Sequence, residues 1–162
     1  MRVVTVFVTG FMVFALVFAL VFGLGFVGKG QAAGNEAHGL PLSKMQVKIT
    51  SQGHAAVFQL YDTAAAKDFY DQLPLQLELS NFRDAQWMFY PPKKLNVTAR
   101  EAYHDGKKGE LSYYAPWGDV FMLYKDFYAG DEMHRLGIGL SGIEHIGKMS
   151  GHALIEKKRD NL

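Results

Sequence analysis

The chain has 162 residues, of which 17 are basic and 16 acidic, for a net charge of +1, and it contains no cysteine. That length suits one domain. The even charge balance argues against a nucleic-acid binder, which normally carries a clustered basic surface, and the absence of thiols excludes disulfides, thiolate zinc sites and cysteine nucleophiles.

No charged residue lies between Arg2 and Lys29, and Val3 to Val27 is built from Val, Phe, Leu, Ala, Met, Thr and Gly. A helix needs roughly 20 apolar residues to span a bilayer core, so this segment predicts an N-terminal hydrophobic helix. With the amino group and Arg2 held inside, the rest of the chain is expected outside the cytoplasm, in the cell envelope, periplasmic or otherwise extracytoplasmic. Two outcomes fit residues 1–32. The small residues Gly30 and Ala32 suit a signal peptidase cut before Ala33, whereas the length of the apolar run exceeds a signal h-region and suits an uncleaved anchor that meets the membrane through residues 3–27. Cleavage would remove Arg2 and Lys29 and no acid, leaving 15 basic against 16 acidic residues.

Residues 33–44, AGNEAHGLPLSK, lack periodicity and predict a linker. The folded domain is expected over 45–152, followed by a charged tail at 153–162. Met45, Val47 and Ile49 alternate with polar residues, and after Ser51-Gln52-Gly53 the residues Ala56, Phe58 and Leu60 alternate again, which predicts a hairpin. Asp62 or Thr63 then caps a helix carrying Ala66, Phe69, Tyr70 and Leu73, stopped by Pro74. Leu75, Leu77 and Leu79 predict a third strand, and Trp87 to Tyr90 a fourth. His104 to Gly109 predicts a turn, Leu111–Ala115 and Val120–Phe127 adjacent strands, Met133–Leu140 another strand and Ser141–Ile146 a helical turn. Seven or eight strands with one helix favour a small closed antiparallel β-barrel, which leaves no exposed edge.

The ordered segments KITSQGHAAVFQLYDTAAAKDFYDQLPLQLEL, YPPKKL, GELSYYAPWGDVFMLYKDF and LGIGLSGIEHI together resemble the bacterial cyclophilin-like fold proteins, small domains of unassigned function. The resemblance covers nearly all of 45–146 and implies a compact barrel similar to that of the cyclophilin prolyl isomerases. It carries no isomerase residue across. Cyclophilins present Arg, Phe and Gln in a segment like FMxQGGD, and the nearest run here, Asn81-Phe82-Arg83-Asp84, lacks the Gln-Gly-Gly continuation.

Other constellations are weak. Gly137 to Gly142 fits G-x-G-x-x-G, but only twenty residues follow, too few for a dinucleotide-binding unit; a turn rich in glycine is the simpler expectation. The six histidines include no metal-ligating spacing. His145 and His152, and the cluster Asp131, Glu132 and His134, are expected in solvated loops, with no metal and no cofactor. Ser141 lacks the G-x-S-x-G elbow. The remaining candidate is aromatic: Tyr114, Trp117, Phe121 and Tyr124 around the Pro116 bend could line the barrel mouth and hold a peptide or small apolar ligand. The expected function is thus an exported or membrane-tethered binding module, or alternatively an enzyme, either a divergent prolyl isomerase or a small-molecule enzyme working at that mouth. An enzyme would need polar groups such as Arg83 or His104 in the same pocket as Trp117 and Tyr114.

Overall fold

The computed structural model describes residues 36–159. The expected segment 1–32, and with it the choice between signal peptide and anchor, lies outside the described residues. Among those described, no helix is long and apolar enough to cross a membrane.

Ten strands, one α-helix and a 3-10 turn make up the domain. After the two-residue β1 (Glu36–Ala37) come β2 (Leu40–Ser51), β3 (His54–Tyr61), α1 (Ala64–Asp71), β4 (Leu75–Phe82), β5 (Gln86–Phe89), β6 (Ala102–Gly106), β7 (Glu110–Tyr114), β8 (Asp119–Leu123), β9 (Phe127–Ser141), the 3-10 turn Ile143–Lys148 and β10 (Gly151–Lys157). Neighbouring strands run β2-β10-β4-β5-β8-β7-β9-β3, and β3 pairs back to β2, closing an antiparallel eight-stranded barrel. Closure leaves β6 outside the ring, paired only to β9.

The hairpin of β2 and β3 turns on Gln52 and Gly53, both at positive φ (50° and 75°), the geometry that matches strand twist in a two-residue turn. Thr63 caps α1 by accepting the Ala66 N–H at 3.2 Å. The helix stops at Asp71, two residues short of the expected Leu73, because a residue before proline is disfavoured in helical geometry. It lays Ala65, Ala66 and Phe69 on the core, where Phe69 meets Phe89 with ring centroids 6.0 Å apart.

Several expectations are corrected. Residues 40–44 of the expected linker belong to β2, and 153–157 of the expected tail belong to β10. β10 pairs β2 on one side and β4 on the other, with Ala153 and Ile155 buried, so the ring cannot close without it; Glu156 and the lysines after it mask two inward residues. His104 and Asp105 sit in β6, not in a turn. The run Val120–Phe127 breaks at 124–126 into the end of β8 and the start of β9.

Gly137 and Gly139 also lie in β9, where glycine serves close approach between strands. A Cβ at Gly137 would stand 2.6 Å from the Gln59 carbonyl oxygen. Only Gly142 of that motif has positive φ, 71°.

Side chains divide into two cores on the two faces of one wall. Along β8, Val120 and Met122 join the large core inside the barrel, with Val47, Phe58, Phe89 and Leu111. Phe121 and Leu123 point the other way and join Met88, Tyr103 and Met133. This second core lies between the outer face of β5, β8 and β7 and the flap formed by β6 and the first half of β9.

Candidate functional site

The outward faces of β4, β5, β8 and β7 set the site by strand register. Phe82 lies opposite Gln86 and Gln86 opposite Leu123. One row along, Met88, Phe121 and Ser112 align; one further row brings Asp119 opposite Tyr114. At about 3.3 Å per residue, the rows of Gln86 and Asp119 are roughly 13 Å apart, with the Phe121 row between them. Ala129, Gly130 and Asp131, where β9 slips register against β6, form the far bank. Together these residues enclose a cleft of about 220 Å³ that Trp117, Arg83, Phe127 and Met133 also line.

Trp117 stands at the rim on the turn between β7 and β8. It is 53% exposed, an unusual state for so large an apolar ring. Its ring meets Tyr114 and Phe82 edge-on, at centroid distances of 5.3 and 5.6 Å, and Phe82 in turn meets Phe127 at 6.1 Å. These edge contacts hold the indole across the cleft without covering it.

Arg83 is presented by a strained turn. Both Arg83 and Asp84 have φ near +50°, outside the region that residues with a Cβ prefer. The turn is closed by the Ala85 N–H donating to the Phe82 carbonyl at 3.1 Å, and a set of side chains fixes Asp84. Asn81 Oδ1 accepts the Asp84 N–H at 3.0 Å, the Tyr124 hydroxyl donates to Asp84 Oδ1 at 2.9 Å, and Lys125 Nζ lies 2.6 Å from Oδ2. Asp84 is thereby held below the usual carboxylate range, chiefly by the Lys125 hydrogen bond. With its neighbouring acid taken, Arg83 forms no ion pair among the described residues; its guanidinium rests over the Phe82 ring, 5.2 Å from the centroid.

At the floor are two buried acceptors. Gln86 is 5% exposed and Asp119 1%, and neither Gln86 Oε1 nor Asp119 Oδ1 meets a donor among the described residues. Burial pushes the Asp119 carboxyl up to about 6, with only its own backbone N–H pulling the other way. Tyr114 does not relieve it, since its hydroxyl donates to Asp131 at 2.9 Å, an interaction that also raises the Tyr114 pKa.

Of the four aromatic residues singled out by sequence, Tyr114, Trp117 and Phe121 converge on this cleft. Tyr124 does not. Just past the end of β8, it continues the inward set of Val120 and Met122, packs against Trp87 at 6.2 Å and bonds Asn81 and Asp84. The cleft is also on the outer wall, not at the barrel mouth, because the interior is filled by side chains.

Sequence reasoning missed Gln86 and left Asp119 outside the strand expected at Val120–Phe127. The signal available for Asp119 was its period-two register with Phe121 and Leu123. His104 lies outside the cleft, its Nδ1 3.1 Å from the Ala129 carbonyl oxygen.

The other expected clusters disperse. His145 stacks on His54 at 5.5 Å, and His152 Nδ1 pairs with Glu78 at 2.9 Å, so the two do not meet. Asp131, Glu132 and His134 are in β9 and not in a loop, and His134 is buried, which lowers its pKa. Among the described residues no group of three or more His, Asp or Glu side chains is placed to hold a metal ion.

Comparison with known proteins agrees with the architecture. The solution structure of a hypothetical protein from Archaeoglobus fulgidus is similar over 70% of this chain and 95% of its own, with a TM-score of 0.53 at 13% identity, a likeness of fold. No curated protein matches the chain. The model of the Cyclophilin-like family matches residues 49–156, from the end of β2 into β10, and so reaches every strand of the closed ring, and the chain belongs to that family.

Proposed function

We propose that this domain is a small binding module, whose outer-wall cleft holds a peptide or small molecule by laying a ring or other apolar group against Trp117 and Phe121 and turning a carbonyl or carboxylate toward Arg83. The observation that carries the reading is Trp117 itself. A half-exposed indole, propped edge-on by Tyr114 and Phe82 over a concave surface, offers apolar area that folding has not used. Arg83 adds a cation without an ion-pair partner among the described residues. The uncharged run 3–27 supports export to the cell envelope, with the module released by cleavage or held on the membrane by that segment.

Tryptophan emission of the full-length chain, titrated with aromatic carboxylates, amides and short peptides, tests this. A saturable change is expected to persist in Trp87→Phe and vanish in Trp117→Ala. A panel that gives no saturation, or a response carried by Trp87, would overturn it.

A second reading, an enzyme at the same cleft, is favoured by Arg83, Gln86 and Asp119 sharing it with Trp117 and Tyr114. A divergent prolyl isomerase would accelerate an exchange that takes tens to hundreds of seconds unaided. A coupled peptide assay showing no rate above that background would remove the isomerase.

A further inference from the structure

Among the described residues, Asp119 is a buried carboxylate that no neighbouring charge accounts for. Leaving a carboxylate buried without a counter-charge is costly, and natural proteins resolve the cost with a partner or a raised pKa. Here the side chain is 1% exposed and Oδ1 has no donor among the described residues. The charged and titratable groups facing the cleft do not supply a counter-charge. Tyr114, directly across the hairpin, donates its hydroxyl hydrogen bond to Asp131; Arg83 sits on the opposite bank over Phe82; and Gln86 Oε1 is another acceptor in want of a donor.

Around this carboxylate stand aromatic faces. Tyr114 is its cross-strand neighbour, Phe121 is two residues along on the same face, and Trp117 packs on Tyr114. A carboxylate set among aromatic rings is the recognition chemistry of an organic ammonium, which gains from the negative charge and from the ring faces together.

We propose that Asp119 is the recognition point of the cleft for an amine, so that its ligand is an organic ammonium with an apolar, ring-bearing body, the ammonium meeting Asp119 and the ring resting on Phe121 and Trp117. This rests on the binding reading above and narrows it to a class. Gln86 offers a second acceptor at the far end of the floor for a ligand that carries another N–H or O–H group. Arg83 at the rim accommodates a carboxylate, so aromatic amino acids fit the class as well as simple amines.

Three probes of nearly equal size separate the possibilities: 2-phenylethylamine, 2-phenylethanol and 3-phenylpropanoate, titrated by calorimetry into the full-length chain at pH 7.5. The amine is expected to bind about tenfold or more tightly than the alcohol, and Asp119→Asn to abolish that preference by weakening the amine far more than the alcohol. Trp117→Ala is expected to weaken all three, and thermal melts confirm that each variant folds. If the amine binds no better than the alcohol, or if its preference survives in Asp119→Asn, the ammonium proposal is overturned while Trp117-dependent binding of the alcohol or propanoate keeps the broader reading. If none of the three binds, both fall.

Discussion

Tyr114 and Asp119 face each other across the β7–β8 hairpin, yet the Tyr114 hydroxyl donates to Asp131 on β9 and leaves the Asp119 carboxylate without a side-chain donor. This arrangement makes the proposed binding cleft a local weakness in the fold as well. Stability given up at a site in this way is a common companion of binding.

The weakness has a pH signature. The folded-state pKa of Asp119 is raised to about 6 from an ordinary 3.8, so the folded protein holds this proton more tightly than the unfolded chain does. Its contribution is therefore most favourable below pH 4, declines as pH rises from about 4 to 6 and is flat above. Asp119→Asn is expected to remove this slope and to stabilise the protein at pH 7 by about 1–2 kcal/mol, less than the full shift because the buried amide still lacks a donor. Urea melts of both proteins at pH 4, 5, 6 and 7 measure it; an unchanged gap between them at every pH would contradict it.

Tyr124 acts on the cleft at one remove, through the turn that presents Arg83. Tyr124→Phe deletes the hydroxyl that bonds both Asn81 and Asp84. The expected cost is about 1 kcal/mol or less, since both bonds are exposed. Affinity for 3-phenylpropanoate should fall in Tyr124→Phe and affinity for 2-phenylethanol should not, because only the anion uses Arg83. Equal losses for the two probes would count against a role for this turn.

Buried Glu110 and partly buried Arg135 form an ion pair in the barrel wall. Glu110 accepts the Lys107 N–H at 2.9 Å and lies 3.3 Å from Arg135 Nε and 3.2 Å from His38 Nε2. Arg135 also covers Tyr103, with its guanidinium carbon 3.8 Å from the ring centroid. Arg135→Ala strands a buried carboxylate and is expected to cost about 3 kcal/mol, whereas Arg135→Met with Glu110→Gln should cost clearly less than the single change. Chemical denaturation of the two variants decides it; a double variant less stable than Arg135→Ala would be the contrary result.

Glycine at 142 is demanded twice over. Its φ is 71°, and an added Cβ would fall 2.0 Å from the Ala55 carbonyl oxygen, so the backbone of β3 must move. Gly142→Ala is expected to cost more than about 2 kcal/mol, while Gly130→Ala, with open space around it and no positive φ, should stay within about 1 kcal/mol. Thermal unfolding of the pair tests the contrast.

The sequence alone determined the local structure, because its causes are local. Alternation in Val47 and Ile49, then in Phe58 and Leu60, wrote the first hairpin, Thr63 and Pro74 bracketed the helix, and four ordered segments carried the resemblance to its barrel family. Period two also said that Phe121 opposes Met122 in direction, but not which of them faces the barrel interior. That was decided when Met122 joined the core with Leu111 and Phe89, sending Phe121 and Asp119 to the outer wall.

Only the tertiary structure could show that β10, masked by charged neighbours, completes the ring, that Tyr124 serves the Arg83 turn, and that Gln86 and Asp119 lie in one cleft with Trp117. Each depends on pairing between strands far apart in the chain, which register and closure fix and which no local pattern records.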